Sequence, residues 1–191
     1  SLVSEFNIAV ERKDIQSARL IQKEIVDRII DNQLPYTYLK KLEIPSAKEF
    51  IPLASDQAVY RYYLKISSEY EALDQFLELR KLDSLNGKIN YNIAALKFFV
   101  WKNELDSFRS KPFLKEIYKL KQMRIPESLV KRMLVNFHII KSELNLKNLQ
   151  YSQKDSSVSF IRNIYQEIEK NDEDIYSLAK FYSYYSELDW A

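Results

Sequence analysis

The chain has 191 residues, 46% apolar and 14% aromatic, enough to bury a core in one domain or one continuous array and too rich for disorder. Its 29 basic and 27 acidic residues leave a net charge of +2, a weak pull toward nucleic acid or anionic membrane. It has no cysteine, which removes disulfides, thiolate metal sites and thiol nucleophiles, and one glycine, Gly87, too few for all-β turns or phosphate-cradling loops.

The expected elements are therefore helices joined by short polar loops. Residues 4–31 read as a helical hairpin. Ala18, Ile21, Ile25 and Ile29 keep one apolar stripe, flanked by Lys23, Glu24, Asp27 and Arg28. Asp14 stands where a short turn hands over to the second helix and suits its N-cap. Residues 34–54 carry Pro35, Pro45 and Pro52, a density that interrupts long helices. They read as a connector with one short helical turn.

Residues 56–67 and 69–82 form the next expected pair. Ser68-Glu69-Tyr70-Glu71 matches a capping box. Asn86-Gly87 is expected to stop the second helix, since glycine tolerates the left-handed backbone. The helix at 88–102 is apolar nearly all round, from Ile89 through Ile93, Ala94 and Leu96 to Val100 and Trp101, and is expected to be central. Pro112 suits the first turn of a helix carrying Phe113, Leu114, Ile117 and Leu120.

Pro126 opens another helix, with Leu129, Met133, Phe137, Ile140 and Leu144 on one stripe. A polar connector at 145–155 follows, and Val158, Ile161, Ile164, Tyr165 and Ile168 restart the stripe. Asn171-Asp172-Glu173-Asp174 gives a turn and an acidic helix start, which suits the dipole. The last helix, 174–188, runs into Trp190-Ala191. No stretch approaches the roughly 20 apolar residues that span a bilayer.

The spacing of small and aromatic residues resembles the tetratricopeptide repeat, a helix–turn–helix unit of about 34 residues. Its small places let two helices approach closely, and its large places fill the space between. Ile175, Leu178, Ala179, Tyr182 and Ala191 occupy those places in order at the C-terminus. Val59, Tyr63, Ala72 and Phe76 do so in the second pair, Tyr91, Ala94, Ala95 and Phe98 in the next helix, and Leu2, Ala9 and Ala18 at the N-terminus. Tyr60 stands where a small side chain belongs, and residues 103–155 fit no repeat well.

The resemblance implies an all-α fold: a right-handed array of antiparallel helical hairpins over 1–191, its C-terminal repeat truncated and its parent protein longer. It also implies a groove lined by the first helix of each hairpin. Arg61 and Lys65, then Asn92, then Lys180 and Tyr184 fall on that side, where cations and an amide would grip a partner's carboxylate or backbone.

Chemistry is harder to assemble. His138 is the only histidine and sits on an apolar helix, so it cannot build a paired-histidine metal site. Ser128-Leu129-Val130-Lys131 matches the Ser-x-x-Lys of penicillin-binding enzymes, but their Lys-Thr-Gly and oxyanion-hole glycine are missing. Asp172, Glu173 and Asp174 lack the turn glycine of a calcium loop. The tyrosines at 60, 62, 63, 182, 184 and 185 invite a stacking platform, but without a basic groove nucleic acid is not expected. Most of these rings belong in the core, with Tyr62 and Tyr184 the candidates for exposure.

The expectation is a non-enzymatic interaction module without cofactor, metal or membrane span, docking a peptide or a partner domain. The alternatives are a helical domain of a larger enzyme and a structural or oligomeric bundle. A soluble chain without cysteine fits the cytoplasm, or the periplasm or cell envelope if a leader was removed ahead of Ser1.

Overall fold

In a computed structural model the described residues are 1–104, 110–123 and 125–147. They form eight α-helices and one 3-10 turn, and no strand occurs among them. Two compact units divide the chain, Ser1–Val100 and Trp101–Ala191. The connector expected at 145–155 starts too early, since the helix before it runs on to Lys147; the rest of that connector, the stripe from Val158, the acidic turn at 171–174 and the C-terminal repeat match lie outside the described residues.

In the first unit α1 (Leu2–Glu11) and α2 (Ile15–Ile30) are the expected hairpin. Asp14 caps α2: its carboxylate accepts from the Ser17 amide at 3.0 Å and the Ser17 hydroxyl at 2.7 Å. Ala18 and Ile25 are fully buried, and Phe6, Ala9 and Val10 of α1 pack with them. Gln22 is also fully buried and donates to the Leu53 carbonyl at 3.2 Å, tying α2 to the next pair.

The connector holds α3 (Thr37–Lys40) and a 3-10 turn at Lys48–Phe50. It ends sooner than residue 54. Helix α4 spans Ile51–Tyr63, with Pro52 in its first turn, where no intrahelical amide bond is lost. Helix α5 (Glu69–Leu82) opens on the capping box: the Ser68 hydroxyl accepts from the Glu71 amide, and the Glu71 carboxylate from the Ser68 amide at 2.8 Å. Packing is sequential, α1 on α2, α2 on α4 and α4 on α5.

Asn86-Gly87 does not stop α5. That helix ends at Leu82, and Gly87 opens α6 (Gly87–Glu104) without a positive φ. The Asn86 side chain instead accepts from the Ile89 amide at 3.1 Å, so the pair starts a helix. Ile89, Ile93 and Leu96 of α6 join Ala58, Ala72 and Phe76 in one apolar cluster. Asp56 of α4 reaches two other helices, accepting at 2.8 Å from Arg19 Nε on α2 and from Lys88 Nζ on α6.

The left-handed backbone expected of the glycine is found on Lys13, Asn32 and Lys65, at φ 55°, 58° and 56°. Each closes a helix with the same pair of bonds. Lys13 N–H donates to Val10 and Asp14 N–H to Ala9; Asn32 to Ile29 and Gln33 to Arg28; Lys65 to Tyr62 and Ile66 to Arg61. A lysine there carries a Cβ clash that glycine lacks. Lys13→Gly should therefore raise stability by about 1 kcal/mol, read as a higher urea midpoint at unchanged slope. The exposed Lys13–Glu49 pair lost with it contributes little. A lower midpoint would contradict the cap.

In the second unit α7 (Ser110–Leu120) buries Phe113, Ile117 and Leu120. Pro112 lies in its first turn, as expected. Helix α8 (Glu127–Lys147) follows Pro126 and buries Met133 and Phe137 of the expected stripe, with Val130, Val135 and Ile139 besides. It is therefore covered on more than one face. The Phe137 ring centroid lies 4.9 Å from Trp101 and 5.4 Å from Phe113. No helix among the described residues is long and apolar enough to cross a membrane.

Candidate functional site

Helix α4 carries the side chains of interest in the first unit, and they open onto two clefts. The first has a volume of about 540 Å³ and lies between α4, α5 and the segment 40–44. Gln57 fixes that segment against α4: its Nε2 donates to the carbonyls of Leu39 at 3.0 Å and Leu42 at 3.3 Å. Leu42, Ile44, Ala54, Ala58 and Leu79 make the apolar walls. Lys40, Arg61, Gln75 and Glu78 supply the polar groups.

Arg61 is half-buried, and its Nε is shut away from solvent with no hydrogen-bond partner. The fields of Arg61 and Lys40 help hold the Glu71 carboxyl below its ordinary range, after the larger effect of the bonds from Ser68. That carboxylate is occupied by the capping box. Glu78 pairs with Lys81.

The second cleft, about 670 Å³, sits at the turn from α4 to α5 and is lined by Tyr62, Tyr63, Lys65, Ser67 and Glu69. Tyr63 is 77% exposed. Tyr62 is half-buried, its ring 6.3 Å edge-on from Tyr63 and stacked 6.4 Å from Phe99. Burial raises its phenol pKa. The sequence expectation had these two rings the other way round, with Tyr63 inside and Tyr62 out. The paired places Ala72 and Phe76 are buried as the repeat pattern requires.

Of the groove residues expected from the sequence, Arg61 lines the first cleft and Lys65 the second, so the two do not share one pocket. Asn92 is half-buried on α6 and lines neither of these clefts. Lys180 and Tyr184 lie outside the described residues. Lys40 and Gln75 were missed because they come from the connector and the second helix of the pair, which a first-helix rule does not search; Gln57 is on the first helix, α4, and was missed because its partners are connector carbonyls. The proline-bounded segment Tyr36–Ile44, which carries Tyr36, Tyr38, Lys40 and Lys41, was the available signal.

In the second unit His138 is half-buried with its ring edge-on to Phe137 at 5.2 Å. Burial, with the Lys141 charge adding, pulls its imidazole from 6.5 down to about 4. The folded state thus holds it neutral while the unfolded chain takes a proton below 6.5. Its contribution is intact above that pH, is lost as the pH falls toward 4, and changes no further below. Wild type should lose stability more steeply than His138→Gln across that window in urea melts at stepped pH. Parallel curves would contradict the burial.

Ser128 is half-buried, and Lys131 pairs with Glu127 at 3.1 Å. Among the described residues no three His, Asp or Glu side chains gather as a metal site. No family model, curated protein or solved structure matches the chain.

Proposed function

We propose that the chain is an interaction module of tetratricopeptide-like helical hairpins that docks a peptide or partner domain through the first unit. The observation that carries this is the end of α4, where Tyr63 stands 77% exposed beside the Tyr62–Phe99 stack and Lys65. A large ring kept in water lowers stability relative to a buried one. Exposed aromatics that flank a cleft are the residue type that anchors protein partners. Ala18 and Ala72, fully buried at corresponding places of two helix pairs, support the hairpin repeat.

Tyr63→Ala with Lys65→Glu tests it. Both side chains are exposed, so the melting curve should stay within the spread of surface variants. Recovery of a co-purifying protein from source cells should fall about tenfold or more. Unchanged recovery would remove this surface from the interface. A hydrolytic activity of the chain would overturn the binding reading.

A further inference from the structure

We infer that the cleft at the turn from α4 to α5 receives a proline-rich segment in the polyproline II conformation, packed on the rings of Tyr62, Tyr63 and Phe99 and held by the two phenol hydroxyls. This rests on the reading of the first unit as a protein-binding module and adds what the partner presents.

The rings come in even steps. The Tyr62 ring centroid is 6.3 Å from that of Tyr63 and 6.4 Å from that of Phe99. A polyproline II helix rises about 3.1 Å per residue, so each step matches about two of its residues. Tyr63 is 77% and Phe99 37% exposed, which leaves ring surface open on both neighbours of Tyr62. Prolyl rings are apolar, and such segments dock on aromatic surfaces already in their bound shape, with little ordering cost.

Hydrogen-bonding capacity selects the backbone. Neither phenol has a hydrogen-bond partner among the described residues, and Lys65, exposed at the same cleft, has no ion pair among them. The two carboxylates of the cleft are engaged: Glu71 accepts from the Ser68 amide and hydroxyl, and Glu69 has a partner as well. What is left over is mainly donor capacity. A helix uses its carbonyls internally, and a β-strand brings an N–H with every C=O. Proline has no N–H, and a polyproline II backbone makes no internal bonds, so it offers carbonyl acceptors alone. An acidic peptide would meet Glu69 and Glu71, and a basic one Lys65. The surface used is the turn that joins the pair, not the length of the first helices that lines a repeat groove.

Titration calorimetry on the full chain tests the assignment, with end-capped peptides of equal length: oligoproline, an alternating glycine–serine chain, oligoglutamate and oligolysine. Oligoproline should bind, and each of the others about tenfold or more weaker. Tyr63→Phe keeps the exposed ring and removes one donor, and should weaken oligoproline about three- to tenfold. Tyr63→Ala removes the ring as well and should weaken it about tenfold or more. Tyr36→Ala, at an exposed tyrosine outside this cleft, should change nothing. No binding at millimolar oligoproline, equal binding by any of the other peptides, Tyr63→Phe binding like wild type, or an equal loss in Tyr36→Ala would each overturn it. If oligoproline fails while Tyr63→Ala with Lys65→Glu still lowers partner recovery, the proline assignment falls and the module stands. Failure of both removes the module as well.

Discussion

Phe76→Ala is expected to destabilise the first unit by about 3–5 kcal/mol, the cost of deleting a buried aromatic ring and leaving a cavity. Phe76 is 2% exposed and sits with Ala58, Ala72, Ile89 and Ile93, where α4, α5 and α6 share one core. Tyr63→Ala removes a ring of similar size from the same helical pair. It should change stability by no more than about 0.5 kcal/mol, because that ring is in water already. Amide exchange of α4 and α5 in urea reads the difference locally. Comparable losses for the two variants would mean that the burial pattern is wrong.

Ala72→Leu is the second. Simple apolar burial would make the larger residue stabilising. The close approach of α4 and α5 reverses that. Ala72 is fully buried, and added methylenes force neighbours off their rotamers, for a loss of about 1–3 kcal/mol. Ala18→Leu should behave alike, since Ala18 is fully buried between α1 and α2. A gain in stability in either variant would show a slack contact where the hairpins are held tight. The same exchange measurement, with α2 added, decides it.

These two positions also show what was legible from residue order. Ala18 was legible from its apolar stripe, because periodicity reports which face of a helix is buried, and Ala72 and Phe76 were placed by the repeat resemblance. The Asp14 cap and the Ser68–Glu71 box were legible because their chemistry is local to one turn. Gly87 was misread for an instructive reason. Its neighbour Asn86 is as good a helix starter as a stopper, and the backbone used Asp83 for the stop. The left-handed caps fell on Lys13 and Lys65, residues with no preference for that conformation, so no sequence rule marks them.

The candidate site was less legible than the fold. Arg61 and Lys65 lie four residues apart, which suggests a shared face if the helix continues. Helix α4 ends at Tyr63, and the left-handed Lys65 turns the chain away. The two cations line different clefts, and Tyr63, the last residue of the helix, is exposed. The partnership of Arg61 with Lys40 depends on Gln57 holding a segment 15 to 18 residues earlier in the chain. No periodicity encodes a contact of that range.

Site-specific photo-crosslinking tests protein binding through the end of α4 most directly. A benzophenone amino acid replaces Tyr63 in one variant and Leu20, an apolar side chain 70% exposed on α2, in another. Docking at this surface predicts a discrete covalent adduct from position 63 and none from position 20. No adduct at 63, or equal yields from both positions, would contradict it.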